Sequence, residues 1–328
     1  MQYLNLAQKD RLHKLTEVKV AFNVSMAKVT NWKIGGIAPC VIQPLTESAL
    51  LNVLRILEEE KLKAVVVGRT TNLLFSDDDF ECVIVQLALL SNFIYESESG
   101  SESESGSESE TVITCGAGVW VPKLSRYVAS KNRTGAEHLC GIPASVGGVV
   151  FMNGGSQRKS IGSNIVRVRS WNGREVVTRD QSECGFSYRT SIYQLNKEII
   201  LSADICFSHK GDKKLIQREM LTILKSRRLK FPRKTPNCGS VFISDSKYYS
   251  TFGPPGKMIE DMHLKGLKIG GARISRLHGN FIENEGGASA QDVLDIINMV
   301  RSTVFSEIGV KLNPEVRFLN DKGVISSI

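Results

Sequence analysis

Apolar and polar residues along the 328-residue chain recur at two different periods, and the changes of period divide it into segments. The first clear unit covers residues 40–67. Cys40-Val41-Ile42-Gln43 reads as a short strand that Pro44 stops, and Thr46-Glu47-Ser48 supplies a helix start. Leu50, Leu51, Leu54 and Leu57 then recur at helical spacing and predict the buried stripe of a helix. Ala64-Val65-Val66-Val67 is a β-branched run closed by Gly68, which predicts a buried strand. The result is a β-α-β unit followed by the loop Gly68-Arg69-Thr70-Thr71-Asn72. Cys82-Val83-Ile84-Val85 predicts a further strand.

Strand-like text, Phe93-Ile94-Tyr95 and Thr111-Val112-Ile113-Thr114, flanks residues 96–110, a run of Glu, Ser and Gly alone. That run has nothing to bury, so it is expected to be a flexible hairpin tip, with a partner-binding tail as the alternative. Residues 120–131 predict a helix with Val121, Leu124, Tyr127 and Val128 on one face. A glycine-rich segment follows at 141–155, and strand-like pieces alternate with turns to Ile205. Residues 215–229 predict a basic amphipathic helix whose charged face is read as solvated. The last long helix carries the fullest marking. Ser289 with Asp292 makes a capping box, Val293, Ile296, Ile297, Val300 and Val304 form one stripe, and Gly309 is placed to end it. Residues 310–319 look extended, interrupted at Pro314.

Composition narrows the class. Hydrophobic content of 41% and charged content of 23% are ordinary for a soluble globular protein, and the length allows two or three modules. No apolar run is long enough to span a bilayer, and residues 1–20 lack a secretory apolar stretch, so a cytoplasmic protein is expected. Seven cysteines stand at wide spacings without a C-x-x-C pair, and the five histidines show no ligand spacing; no metal site and no disulfide framework is expected. The net charge is +8, and without the six glutamates of residues 96–110 the rest carries +14. Such a basic body suits anionic small molecules. No basic run with interleaved aromatics, helix-turn-helix or zinc finger speaks for nucleic acid.

Two glycine-bearing loops are candidates for cradling a pyrophosphate, 68–72 and 141–148 with its continuation Met152-Asn153-Gly154-Gly155, since glycine lets backbone amides approach an anion. Glycines also serve ordinary turns and bulges, so neither loop decides alone. No G-x-G-x-x-G joins a strand to a helix, so the usual dinucleotide crevice is not expected. Arg189 could grip a carboxylate, Ser240 sits in an apolar setting, and Glu315 precedes a strand where a buried carboxyl could hydrogen-bond a developing charge. Each taken singly reads as structural.

In order along the chain, these pieces resemble the UDP-N-acetylenolpyruvoylglucosamine reductase (MurB) family over residues 30–317. Thr30-Asn31-Trp32-Lys33-Ile34-Gly35-Gly36 is similar to its opening signature, and 141–155 to its flavin loop. Gly185-Phe186-Ser187-Tyr188-Arg189-Thr190-Ser191 is similar to the segment bearing its arginine, and Asn237-Cys238-Gly239-Ser240-Val241-Phe242 to that bearing its proton-donor serine. Residues 264–272 and 278–281 resemble the substrate domain, and Asn313-Pro314-Glu315-Val316-Arg317 the glutamate segment.

The resemblance implies an α+β protein. Two FAD-binding subdomains of the vanillyl-alcohol-oxidase (PCMH) type would occupy residues 1–77 and 78–208. A third α+β domain, at 209–308, would close over the substrate, and 309–328 would return to the flavin domain. It implies NADPH-dependent, FAD-mediated reduction of UDP-N-acetylglucosamine enolpyruvate in peptidoglycan precursor synthesis, by a monomer of the shorter, type II form. The alternatives are a dehydrogenase of the same fold acting on another sugar or alcohol, or a non-catalytic UDP-sugar-binding relative. Arg189, Ser240 and Glu315 would be catalytic. FAD would meet Gly68, Arg69, Thr70, Thr71, Asn72, Leu73, Gly141, Pro143, Ala144, Ser145, Gly147, Gly148, Asn153, Gly155 and Ile199. The UDP-sugar would meet Tyr188, Arg233, Asn237, Lys265 and Lys268. The chain departs from the family at Thr70 and Ala144, where glycine is usual, at Thr71, where serine is usual, and in the Glu/Ser tract. Thr70 restricts the backbone if its position needs positive φ.

Overall fold

The computed structural model describes residues 3–90, 93–98, 111–207 and 209–328. A first body begins with helix α1 (Leu6–His13), capped by Asn5 and Gln8. Strand β1 (Val18–Ser25) and β2 (Ile37–Pro44) pair antiparallel on either side of the short α2 (Met26–Val29). Helix α3 (Glu47–Glu59) starts where expected, with the Thr46 hydroxyl accepting from the Ala49 N–H at 3.2 Å. Its buried stripe is Ala49, Leu50, Val53, Ile56 and Leu57. Leu51 and Leu54 are only half-buried, because the helix presents the 3.6-residue face set by Leu50 and Leu57 rather than every leucine. Strands β3 (Ala64–Val67), β4 (Leu73–Phe75) and β5 (Val83–Gln86) follow. The sheet order is β1-β2-β5-β3, with β5 parallel between β2 and β3. A boundary after residue 77 therefore cuts the first sheet, whose central strand β5 lies beyond it.

The second body is one antiparallel sheet, ordered β6-β7-β10-β8-β9. Its strands are β6 (Ile94–Glu98), β7 (Thr111–Gly116), β8 (Ile165–Trp171), β9 (Val176–Asp180) and β10 (Ile199–Cys206). Glu96, Ser97 and Glu98 are strand, not loop: their backbone pairs with Ile113, Val112 and Thr111 across the β6–β7 ladder. The rest of the Glu/Ser tract, 99–110, lies outside the described residues. Helices α4 (Val121–Ser130), α5 (Val146–Phe151), α6 (Tyr193–Asn196) and α7 (Lys213–Lys230) complete this part. Ile216, Met220 and Ile223 of α7 share a small core with Ala129 of α4 and Cys140. A substrate domain starting at 209 would thus include a helix whose apolar face is buried on the second body.

The third body holds α8 (Pro255–Asp261), the strands β11 (Lys268–Ile269), β12 (Ala272–Ile274) and β13 (Ile282–Asn284), and α9 (Ala290–Ile308). The expected stripe of α9 is buried throughout and packs with Trp32, Ile34 and Ile282. Each such side chain contributes about 1.5–3 kcal/mol on burial. Ser289 and Asp292 form the capping box with both hydrogen bonds at 3.0 Å, and Gly309 closes the helix at φ +69°. The chain then crosses back. Strand β14 (Arg317–Leu319) runs parallel to β4, with Arg317 opposite Leu73, and β15 (Ile325–Ser327) pairs on its other edge. That crossing brings Glu315 to the end of the 68–72 loop. Among the described residues, no helix is long and apolar enough to cross a membrane, no cluster of metal-ligating side chains occurs, and all seven cysteines are free.

Candidate active site

A cavity of about 1700 Å³ runs between the three bodies. Single-ligand pockets usually measure about 300–1,000 Å³, so this one can take two large molecules. One wall is the loop after β3. Gly68 brings it against the second loop so closely that a Cβ there would stand 3.2 Å from Ser145 Oγ. Thr70 is 3% exposed and adopts φ +56°, a left-handed conformation that costs a β-branched residue about 1–3 kcal/mol. Neighbours hold it there. Asn31 Nδ2 donates to Thr70 Oγ1 at 3.0 Å and also to the Arg69 carbonyl, and Cys238 Sγ donates to the Thr70 carbonyl at 3.4 Å. Arg69 reaches the Ala88 carbonyl with Nη2 at 3.3 Å, while its buried Nε has no partner. No carboxylate pairs with it among the described residues. Burial works against its charge, so an anion in the cavity would be welcome there.

The second loop opens α5. Ser145 caps that helix, accepting weakly from Gly148 N–H at 3.4 Å. Gly155 is fixed by space, since a Cβ would fall 1.9 Å from the Lys159 carbonyl oxygen. Ala144 lies outside the left-handed region, so its methyl group adds no backbone strain.

Across the cavity, Arg189 Nε lies 2.9 Å from Glu315 Oε1. Burial pushes the Glu315 carboxyl above its usual range and the guanidinium pulls it partly back. The Glu315 backbone is tied on both sides: its N–H donates to the Val241 carbonyl at 2.7 Å, and its carbonyl accepts from Asn72 Nδ2 at 3.0 Å. Phe242 bridges Pro314 in the same crossing. Ser240, the residue before Val241, lines the cavity on this side. Its loop is shaped by Asn237, which donates to the Pro232 and Thr235 carbonyls at 3.0 and 2.9 Å and accepts from Gly239 N–H at 3.0 Å. Gly239 supplies φ +80°.

The chain is 38% identical over 309 residues to UDP-N-acetylenolpyruvoylglucosamine reductase 1 of Corynebacterium glutamicum, covering 94% of this chain and 88% of that one. It belongs to the UDP-N-acetylenolpyruvoylglucosamine reductase family. The reductase of Carboxydothermus hydrogenoformans is 34% identical, with 95% and 98% of the two chains covered. The C-terminal domain of this family matches residues 231–319, and an FAD binding domain matches 38–179. Among solved structures, the reductase from Thermus caldophilus superposes with a TM-score of 0.70 at 27% identity, over 92% of this chain and 98% of that one. The fold is thus the two-part FAD-binding fold with a third α+β domain.

The residues present fit the reductases' FAD. The 68–72 and 141–155 loops face one another across a close glycine contact, and Arg69 offers a guanidinium without an acidic partner. All three expected catalytic residues line the cavity, as do Gly68 through Leu73, Gly141, Pro143, Ala144, Ser145, Gly147, Gly148, Gly155, Ile199, Arg233 and Asn237. Four expected residues do not. Asn153 is buried behind the wall, donating to the Ser187 carbonyl at 2.8 Å and accepting from Gly162 N–H at 3.0 Å; it braces the turn that carries Arg189. Tyr188 is 61% exposed, with the Arg189 guanidinium 5.6 Å over its ring. Lys265 pairs with Glu260 at 2.8 Å and Lys268 lies 3.5 Å from Glu285, which it shares with Arg273.

Several wall residues were not expected, and Arg227 is the one with a clear signal in the sequence. Arg227 of α7, expected on a solvated face, lines the cavity with its guanidinium 4.7 Å above the Phe231 ring. Its position, one turn beyond Ile223 and two beyond Met220, is the sequence signal that places it on the packed side of the helix.

Proposed function

We propose that this protein reduces the enolpyruvyl group of UDP-N-acetylglucosamine enolpyruvate to give UDP-N-acetylmuramate, with NADPH as reductant, as a step of peptidoglycan precursor synthesis. The observation that carries the reading is the half-buried Arg189–Glu315 pair facing a cavity of two-ligand size, with Ser240 on the strand-crossing beside it. The 68–72 and 141–155 loops would hold FAD, which when bound would supply the hydride chemistry that links NADPH oxidation to reduction of the vinyl group. Arg189 holds the substrate carboxylate and stabilises the negative charge that grows on it. Glu315, with its carboxyl pushed towards the protonated form, donates a hydrogen bond to the same oxygens. Ser240 gives the proton to the carbon bearing the carboxylate; a hydroxyl is a weak acid, so the charge at Arg189 is what makes that transfer accessible. Arg233, exposed on the wall, meets the diphosphate, and Asn237 acts by shaping the Ser240 loop. The reading takes the protein as a monomer, and soluble nucleotide substrates suit the cytoplasm.

The test is NADPH oxidation by the purified yellow protein with and without the enolpyruvyl substrate. Oxidation that requires the substrate is expected. A flavin-bearing protein that ignores it but turns over another sugar or alcohol overturns the reading, and a protein that holds no flavin overturns the enzyme reading altogether.

A further inference from the structure

Arg189 sits at φ +57°, a conformation that a long side chain rarely adopts, so its surroundings must fix it. The turn closes on itself through paired hydrogen bonds between Ser187 and Thr190, at 3.2 and 3.1 Å. Beyond the turn, Gln194 Nε2 donates to the Arg189 carbonyl at 3.0 Å and to the Phe151 carbonyl at 3.0 Å. Phe151 is the last residue of α5 and leads into the 152–155 segment of the flavin loop. Ser191 Oγ donates to the same Phe151 carbonyl at 2.6 Å. Both acceptors of Gln194 are carbonyls, so the amide must present its nitrogen to them; the opposite orientation would set oxygen against oxygen.

We propose that Gln194 is a positioning residue for the reduction: it ties the main chain of Arg189 to the end of α5, so that the guanidinium is set at once against Glu315 and against the cofactor loop. The proposal rests on the role given to Arg189 above. Its chemistry is narrow. Only a side chain of this length with two N–H donors joins both carbonyls, and glutamine supplies them without adding charge beside the ion pair.

The experiment uses the FAD-loaded full chain with Gln194→Glu and Gln194→Met, which keep the length of the side chain. An ionised Glu has no donor, a protonated Glu has one, and Met has none. The two half-reactions are followed separately by the flavin absorbance in stopped flow. Reduction by NADPH is expected to stay within about 3-fold of wild type, while reoxidation by the enolpyruvyl substrate falls about 10- to 100-fold, as a misplaced arginine would cause. Relative to the wild-type profile, Gln194→Glu should recover part of the loss as pH falls and its carboxyl gains a proton, whereas Gln194→Met should not. Equal loss in both half-reactions, loss of FAD, or identical pH behaviour of the two variants would make Gln194 a plain structural support and overturn the proposal. Failure of the wild-type protein to reoxidise with this substrate would instead sink the functional reading itself.

Discussion

Helix α9 and the cavity wall both draw on the third body and obey opposite rules. In α9 every local preference agrees with the fold: a reciprocal cap at Ser289, an unbroken apolar stripe, and a glycine at the left-handed stop. On the wall the local preferences are overruled. Thr70 and Arg189 hold positive φ, Arg69 keeps a buried nitrogen without a partner, and Glu315 is a half-buried carboxyl with one cation beside it. Sequences that fold well are consistent across levels, and departures gather where a ligand supplies what the chain lacks. Damage to the wall should therefore appear in turnover, and damage to α9 in stability.

The largest effect is expected from Arg189→Lys and Ser240→Ala. A lysine cannot offer a carboxylate the two parallel N–H donors of a guanidinium, and an alanine has no proton to give. Substrate-dependent NADPH oxidation should fall about 10²- to 10⁴-fold in each. Reduction of the flavin by NADPH should survive Ser240→Ala; if that half-reaction collapses too, Ser240 is a binding or packing residue instead.

Glu315→Gln tests the charge at the wall by its pH dependence. Burial raises the folded carboxyl above its usual value, so over the interval between the two the folded protein holds a proton that the unfolded chain has lost. The stability contributed by the protonated group is complete below the unfolded value and is lost as pH rises through the folded one. Turnover that needs the protonated carboxyl should fall over the same rising limb, and the Glu315→Gln variant, whose amide does not ionise, should flatten it. A limb that persists unchanged in a pH–rate profile of the variant assigns it to another group. Removing the uncompensated cation, with Arg69→Met, is milder. FAD affinity should weaken about 10-fold in a fluorescence titration, one lost charge-assisted contact, while the flavin-free protein melts no lower than wild type. A drop in that melting temperature would show that the guanidinium supports the fold rather than the ligand.

The same contrast explains what the amino-acid sequence discloses. Helix α9 and the strand before Gly68 follow from patterns a few residues long, because their causes are equally local. The pairing of Arg189 with Glu315 has no local cause: the parallel junction of β14 with β4 brings Glu315 back to the 68–72 loop, and only the resemblance to a family put the two residues in one site. Lys265 and Lys268 show the converse case. Basic charge in a segment that resembles a substrate domain suggested a diphosphate, and nothing in the neighbouring residues announces their pairing with Glu260 and Glu285. Leu51, Leu54 and Arg227 were misplaced for a geometric reason, since a helix buries a face and not a residue type. The boundaries at 77 and 208 cut across packing, because a sheet takes its central strand, and α7 its packing partner, from chain that lies beyond a break in the pattern.

The smallest effect is the sharpest test of the comparison, because it comes from the region where function should be untouched. Ser289→Ala removes the hydroxyl that accepts the Asp292 N–H, while Asp292 can still accept from residue 289 and from Gly271 N–H at 3.1 Å. Half of the box remains, so the cost should be about 1 kcal/mol, read as a modest drop in the urea midpoint at unchanged slope. Neither Ser289 nor Asp292 lines the cavity, and Ala290 N–H is independently held by Asp77 at 2.7 Å, so the helix should not move. Substrate-dependent turnover and FAD affinity should match wild type. If turnover falls with stability intact, α9 transmits its position to the wall, and the division between a helix that only stabilises and a wall that only works would be wrong.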